Sequence, residues 1–115
     1  MSFLGRLFGS AAGAATDVDA QAAQALLQGG AVLVDVREPG EFRGGHAAGA
    51  RNIPLGQLAN RAGELKKDAT VLVICASGNR SKSGRGILQR LEFSDVRNVV
   101  GGTSAWQRAG LPMKR

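Results

Sequence analysis

One cysteine and one histidine, Cys75 and His46, are all that 115 residues offer to soft metals or disulfide chemistry. A lone thiol forms no intramolecular disulfide, and with a single imidazole it cannot complete a four-ligand Cys/His zinc site. No metal and no cofactor is expected. No second thiol is present to resolve an oxidised intermediate, which argues against a redox exchange cycle. An unpaired thiol fits a reducing compartment, the cytoplasm being the simplest. Tyrosine is absent, and the other aromatics are Phe3, Phe8, Phe42, Phe93 and Trp106, so the core must be built from Val, Leu, Ile and Ala. No stretch approaches the ~20 apolar residues that span a bilayer, so no integral membrane segment is expected. Acidic residues are outnumbered, 9 against 15 basic, for a formal net charge of +6. The basic residues form no run of five or more and are not interleaved with aromatics. That speaks against nucleic acid, and the charge reads either as an ordinary solvated basic surface or as one that draws small anions.

What is present suffices for one domain with a real core, over residues 16–115. Residues 1–15 read as an N-terminal extension. Phe3, Leu4, Leu7 and Phe8 make a short apolar face around Arg6, too brief for a signal peptide. Such a segment packs on its domain or frays, the alternative being a weak turn that binds a membrane or partner. Glycine is abundant, 17 residues without a period, which points to many tight turns.

Thr16 to Asp19 supplies N-cap chemistry for a helix over 20–28 that ends at Gly29-Gly30. Ala31 to Val36 and Thr70 to Ile74 are near-continuous apolar runs, the mark of strands buried on both faces. Pro39 opens a short helix, Arg51 to Ile53 is a short strand stopped by Pro54, and Leu55 to Leu65 has helical spacing. A further helix is expected over Ser83–Leu91, where Gly84 and Gly86 imply close packing. Val96–Val100 is the last strand, and Thr103–Ala109 a short helix carrying Trp106. Strands alternating with helices, without hairpin signals, predict an α/β fold with a parallel sheet covered on both faces. Ligands of such sheets lie beyond the C-terminal strand ends, where Asp35-Val36-Arg37 and Cys75 to Arg80 both fall.

Cys75 therefore stands just before a helix start, whose dipole favours an anion. The small residues Ala76, Ser77, Gly78 and Asn79 let successive N–H groups turn inward as an anion nest. Arg80 and Lys82 add positive charge, and Ser81 can cap the helix or donate to the sulfur. These features would lower the thiol pKa and make a nucleophile. The bland alternative is an inert buried cysteine ending a strand.

Several segments in order, Asp35 to Phe42, Gly45 to Ala50, Asn52-Ile53-Pro54, Cys75 to Ser81, Gly101-Gly102 with Trp106, and Gly110-Leu111-Pro112, together resemble a single-domain rhodanese. The resemblance covers roughly Val18 to Pro112. It implies a rhodanese-like α/β fold with a mainly parallel five-stranded sheet. It also implies sulfur transfer from thiosulfate or a similar anionic donor to cyanide or a thiol, through a persulfide on Cys75. By position, Ala76, Ser77, Gly78, Asn79, Arg80 and Ser81 complete the active-site loop. Asp35 and Arg37 match a strand-end pair read as loop support, and His46 is read as fixing a turn. Two positions depart from the pattern: Ala47 replaces a larger aliphatic residue, and Glu92 a common glycine before Phe93.

Two rival functions stay open. A cysteine phosphatase or arsenate reductase shares the loop idea but uses five residues between Cys and Arg; here Ala76 to Asn79 are four. A sulfur carrier or interaction module serving a protein donor or acceptor would use the same cysteine without turnover of small molecules.

Overall fold

The computed structural model describes residues 16–115, and the expectations for residues 1–15 lie outside the described residues. Along the chain run β1 (Asp17–Val18), α1 (Ala20–Gln28), β2 (Val32–Asp35), α2 (Pro39–Arg43), β3 (His46–Ala47) and β4 (Arg51–Asn52). Then come α3 (Leu55–Arg61), a 3-10 turn (Ala62–Glu64), β5 (Thr70–Ile74), α4 (Asn79–Arg90), β6 (Asp95–Val99), α5 (Gly102–Arg108) and β7 (Met113–Lys114). The main sheet has the order β1-β6-β5-β2-β4, and every neighbouring pair is parallel.

The apolar runs are continuous because both faces of β2 and β5 are covered, and successive side chains point to opposite faces. Val34, Val36, Val71, Val73 and Cys75 join Ile53, Leu58, Leu88 and Phe93 in one core cluster, beneath α3 and α4. Leu33, Leu72, Ile74 and Val99 join Ala20, Ala23 and Trp106 in the other, beneath α1 and α5. Trp106 is fully buried and its Nε1–H donates to Pro112 O at 2.8 Å, so truncating it to Ala would cost about 3–5 kcal/mol. Asp19 caps α1 by accepting from the Ala22 N–H at 2.8 Å, as its position predicts. Among the described residues no helix is long and apolar enough to cross a membrane.

The structure departs from the sequence reading in four places. Helix α4 begins at Asn79, not Ser83, because the left-handed Gly78 starts it without any capping side chain. The expected helix over Leu55–Leu65 gives way after Arg61 to the 3-10 turn that contains Gly63. A second, two-stranded sheet pairs β3 antiparallel with β7, matching His46 with Lys114 and Ala47 with Met113. The two glycines of α4 also differ. A Cβ on Gly84 would lie 3.0 Å from Val73 and 3.3 Å from Leu58, so the helix lies close against the sheet there. On Gly86 it would meet only the Arg90 guanidinium, at 3.5 Å.

Candidate active site

Two helix starts meet at the C-terminal end of the sheet. After β5, Cys75 leads through Gly78 (φ 109°) into α4. After β6, Gly101 (φ 75°) and Gly102 (φ 59°) lead into α5. The Thr103 N–H donates to Cys75 O at 2.7 Å and the Ser104 N–H to Ala76 O at 3.2 Å. A Cβ on Gly102 would stand 2.2 Å from Cys75 O, and one on Gly78 would stand 3.3 Å from Gly101 N. The two turns are thus in main-chain contact, and left-handed backbone at such spacing requires glycine.

This clamp fixes where the sulfur points. Cys75 is 1% exposed, and its Sγ accepts the Gly78 N–H at 3.1 Å and lies 3.4 Å from Ser81 Oγ. Burial pushes the thiol pKa up. The Ser81 hydroxyl and the N–H groups of Ser81, Gly78 and Ser77 outweigh that, leaving the thiol below its ordinary value. The N–H nest and the Ser81 hydroxyl expected from the sequence do this, without the Arg80 and Lys82 charges that the sequence also suggested.

Arg80 is instead bound bidentately to Glu41 of α2, at 2.7 and 3.0 Å. Arg80 holds the Glu41 carboxyl well below its ordinary value, at about 2, and Glu41 raises Arg80 in return. Lys82 is exposed on α4. Asp35 and Arg37 form a buried pair, Arg37 Nη2 to Asp35 Oδ2 at 2.9 Å. Arg37 also donates to Gly45 O at 2.8 Å, while Asn52 Nδ2 donates to Asp35 O and Arg37 O, each at 2.9 Å. The pair's hydrogen bonds therefore brace the Gly45 turn and β4, and Arg37 lines the same cleft as Ala76 of the Cys75 loop. His46 Nδ1 lies 2.8 Å from Phe42 O and its ring stacks on Phe42 with centroids 3.6 Å apart, so it fixes a turn.

Beside the loop opens a cleft of about 570 Å³, lined among others by Arg37, Glu41, Ala76, Thr103, Gln107 and Lys114. The Thr103 hydroxyl is buried there without a hydrogen-bond partner.

Residues 19–109 match the family model described as Rhodanese-like domain. The chain belongs to the rhodanese-like domain family. This rhodanese-like domain is 43% identical over 76 residues to the Bacillus subtilis protein YqhL, an alignment covering 66% of this chain and 60% of that relative. It is 39% identical over 87 residues to the thiosulfate sulfurtransferase GlpE of Pseudomonas putida, covering 76% and 79% of the two chains. The crystal structure of a rhodanese-related protein from Thermoplasma volcanium superposes with a TM-score of 0.78 at 32% identity, covering 86% of this chain and 97% of that one.

Three parts of this rhodanese-like site escaped the sequence reading. Asn98, which hydrogen-bonds Ser81, carried a signal: strand alternation puts it on the same face as the apolar Val96, with Arg97 on the other, so it is a buried polar group needing a partner. Glu41 meets Arg80 across the fold, and nothing local announces that. Thr103 shows its unused hydroxyl only once α5 is placed.

Proposed function

We propose that this domain is a sulfurtransferase working through a persulfide on Cys75. The observation that carries the reading is the main-chain cradle of Ser77, Gly78 and Ser81 around a buried thiol held below its ordinary pKa. The Cys75 thiolate attacks the outer sulfur of thiosulfate, or of a similar sulfane donor. The donor S–S bond breaks and sulfite leaves with the electron pair. A thiolate acceptor or cyanide then attacks the outer sulfur of the persulfide, and Cys75 leaves as thiolate. Inward N–H groups stabilise the anionic sulfur much as an oxyanion hole stabilises oxygen. The net charge of +6 favours approach of anionic donors, and a lone thiol working as a thiolate suits a reducing cytoplasm.

The cleft bears on the acceptor. At about 570 Å³ it has room for far more than cyanide, and Lys114 and Arg115 on its wall suit a thiol that carries an anionic group. A thiol acceptor, small or on a protein, is therefore favoured over cyanide. The arginine that would clasp a phosphate in a cysteine phosphatase is here committed to Glu41, which disfavours that rival.

Mass spectrometry after thiosulfate exposure tests the reading. Wild type is expected to gain the mass of one sulfur, cyanide is expected to remove it, and Cys75→Ser should never show it. An unmodified wild-type protein would defeat the proposal. Hydrolysis of an aryl phosphate without sulfur transfer would revive the phosphatase.

A further inference from the structure

Behind the cradle a chain of polar groups runs from the sulfur to the edge of the sheet. Cys75 Sγ lies 3.4 Å from Ser81 Oγ, and Ser81 Oγ–H donates to Asn98 Oδ1. Asn98 Nδ2 donates to Asp17 Oδ1 at 3.1 Å, and Arg85 donates to the same oxygen at 2.8 Å. Ser81 is fully buried and Asn98 is 1% exposed, so water does not substitute freely for these partners. The backbone holds the ends in register, because Asn98 pairs with Asp17 across β6 and β1, and the Asn98 N–H donates to Thr16 O at 2.7 Å.

The direction of this chain follows from counting donors. The Asp17 carboxylate can only accept, so the face of Asn98 toward it must be the NH₂, and the face toward Ser81 must be the carbonyl oxygen. Ser81 owns one hydroxyl proton. A Cys75 thiol donates its own S–H to Ser81 Oγ, which leaves the Ser81 proton free to satisfy Asn98. A Cys75 thiolate can only accept, and then Sγ and Asn98 Oδ1 compete for that one proton. Forming the persulfide bonds Sγ to the outer sulfur, removes its negative charge and moves the charge outward. The competition at Sγ ends.

We infer that Asn98, oriented by Asp17, is a positioning residue that withholds the Ser81 proton from the Cys75 thiolate. This rests on Cys75 being the nucleophile of the proposed transfer. The consequence is a moderated thiolate: less stabilised than the cradle alone would make it, hence more basic and a stronger attacking group. Its hydroxyl donor is released to Asn98 once the sulfur is loaded. Competition for the Ser81 proton thus belongs only to the empty thiolate state.

Other charges near this end of the sheet are Arg80 with Glu41 on α4 and α2, Asp35 at the end of β2 with Arg37 just after it, Asp17 with Arg85 on β1 and α4, and Lys82 on the exposed side of α4. The primary variant leaves all of them in place. Asn98→Leu keeps the branched four-atom side chain and is neutral; it removes the competing acceptor together with the amide donor to Asp17, whose carboxylate keeps its bond from Arg85.

The test is a pH titration of ultraviolet thiolate absorbance, subtracting Cys75→Ser, with thermal melting to confirm folding. Cys75 is the only thiol in the chain, so the signal belongs to it. The titration midpoint is expected to fall in Asn98→Leu and to rise in Ser81→Ala. The thiolate-to-thiol ratio at a fixed pH should change by about two- to tenfold, the span of one net hydrogen bond. The double variant should match Ser81→Ala alone, because Asn98 acts only through Ser81. A midpoint unchanged or raised in Asn98→Leu, or a further shift in the double variant, would overturn the inference. If the Asn98→Leu variant does not fold, Asp17→Ala and Asp17→Asn carry the test from the surface. Both remove the charge, but only Asp17→Ala removes the acceptor oxygen, so its midpoint should fall further; equal midpoints would overturn the inference. None of these readouts requires sulfur transfer, so failure of the persulfide reading would show separately, in the mass spectrum.

Discussion

The starts of α4 and α5 are built alike and used differently. Each follows a buried parallel strand, each is capped by a left-handed glycine, and neither has a side-chain cap. At α5 the first N–H groups are consumed by the carbonyls of Cys75 and Ala76, and Gly102 lies so close that no Cβ fits. At α4 an N–H is aimed at the sulfur. The same local geometry therefore supplies a clamp on one side and a cradle on the other. What differs is whether the neighbour is a carbonyl oxygen that satisfies the donor permanently or a sulfur whose charge comes and goes.

The comparison predicts different failures. Gly102→Ala should be the most damaging change, costing more than about 4 kcal/mol, since a Cβ 2.2 Å from Cys75 O must push two main chains apart. Urea denaturation would measure it. Gly78→Ala should cost only about 1–2 kcal/mol for the left-handed backbone. It should nonetheless slow persulfide formation by about 10²-fold, because the N–H aimed at sulfur is displaced. If the two variants lost stability and rate in equal proportion, clamp and cradle would not be separate functions.

Weaker effects are expected at the edge of the site. Glu41→Gln removes the carboxylate that holds Arg80, and exposed pairs of this kind contribute about 0.2–1 kcal/mol. The sign with pH follows from the Glu41 carboxyl, lowered from 4.5 to about 2 by Arg80. The pair's contribution is complete above 4.5 and is lost as pH falls toward 2. The stability gap between wild type and Glu41→Gln should therefore close over that range in acid denaturation. A gap that persisted at about pH 2 would mean the side chain acts by packing. Smallest, and opposite in sign, is Glu92→Gly. Glu92 sits at φ 69° after α4, a left-handed position where glycine relieves strain. A gain of up to about 1 kcal/mol is expected, raising Tm by about 4–8 °C per kcal/mol in a domain of this size.

Much of this molecule was legible before its structure, for identifiable reasons. Val32 to Asp35 and Thr70 to Ile74 announce buried strands because β-branched runs suit both faces of a covered sheet. The cysteine loop announces itself by its small residues and its position after such a strand. What stayed hidden depends on distance or on the absence of a marker. Glycine-capped helix starts carry no Ser or Asp to reveal them, so residue spacing alone puts the start of α4 too late. Edge strand β1 has only two residues, Asp17 and Val18, which no periodicity can show. Arg80 looked like an anion binder because its partner Glu41 lies on a different helix. Charge near a site in sequence is not charge delivered to it.

Apart from the Ser81 hydroxyl, the cradle around Cys75 is made of main-chain N–H groups. The side chains of Ala76, Ser77 and Asn79 are accordingly left out of it, with Ser77 and Asn79 facing solvent and Ala76 on the cleft wall. In the proposed chemistry, these three positions form an interchangeable rim around a fixed socket. Replacing them should alter which donors and acceptors arrive while leaving the basicity of the sulfur untouched. Client choice and sulfur chemistry can then diverge independently, by point substitutions a few residues apart.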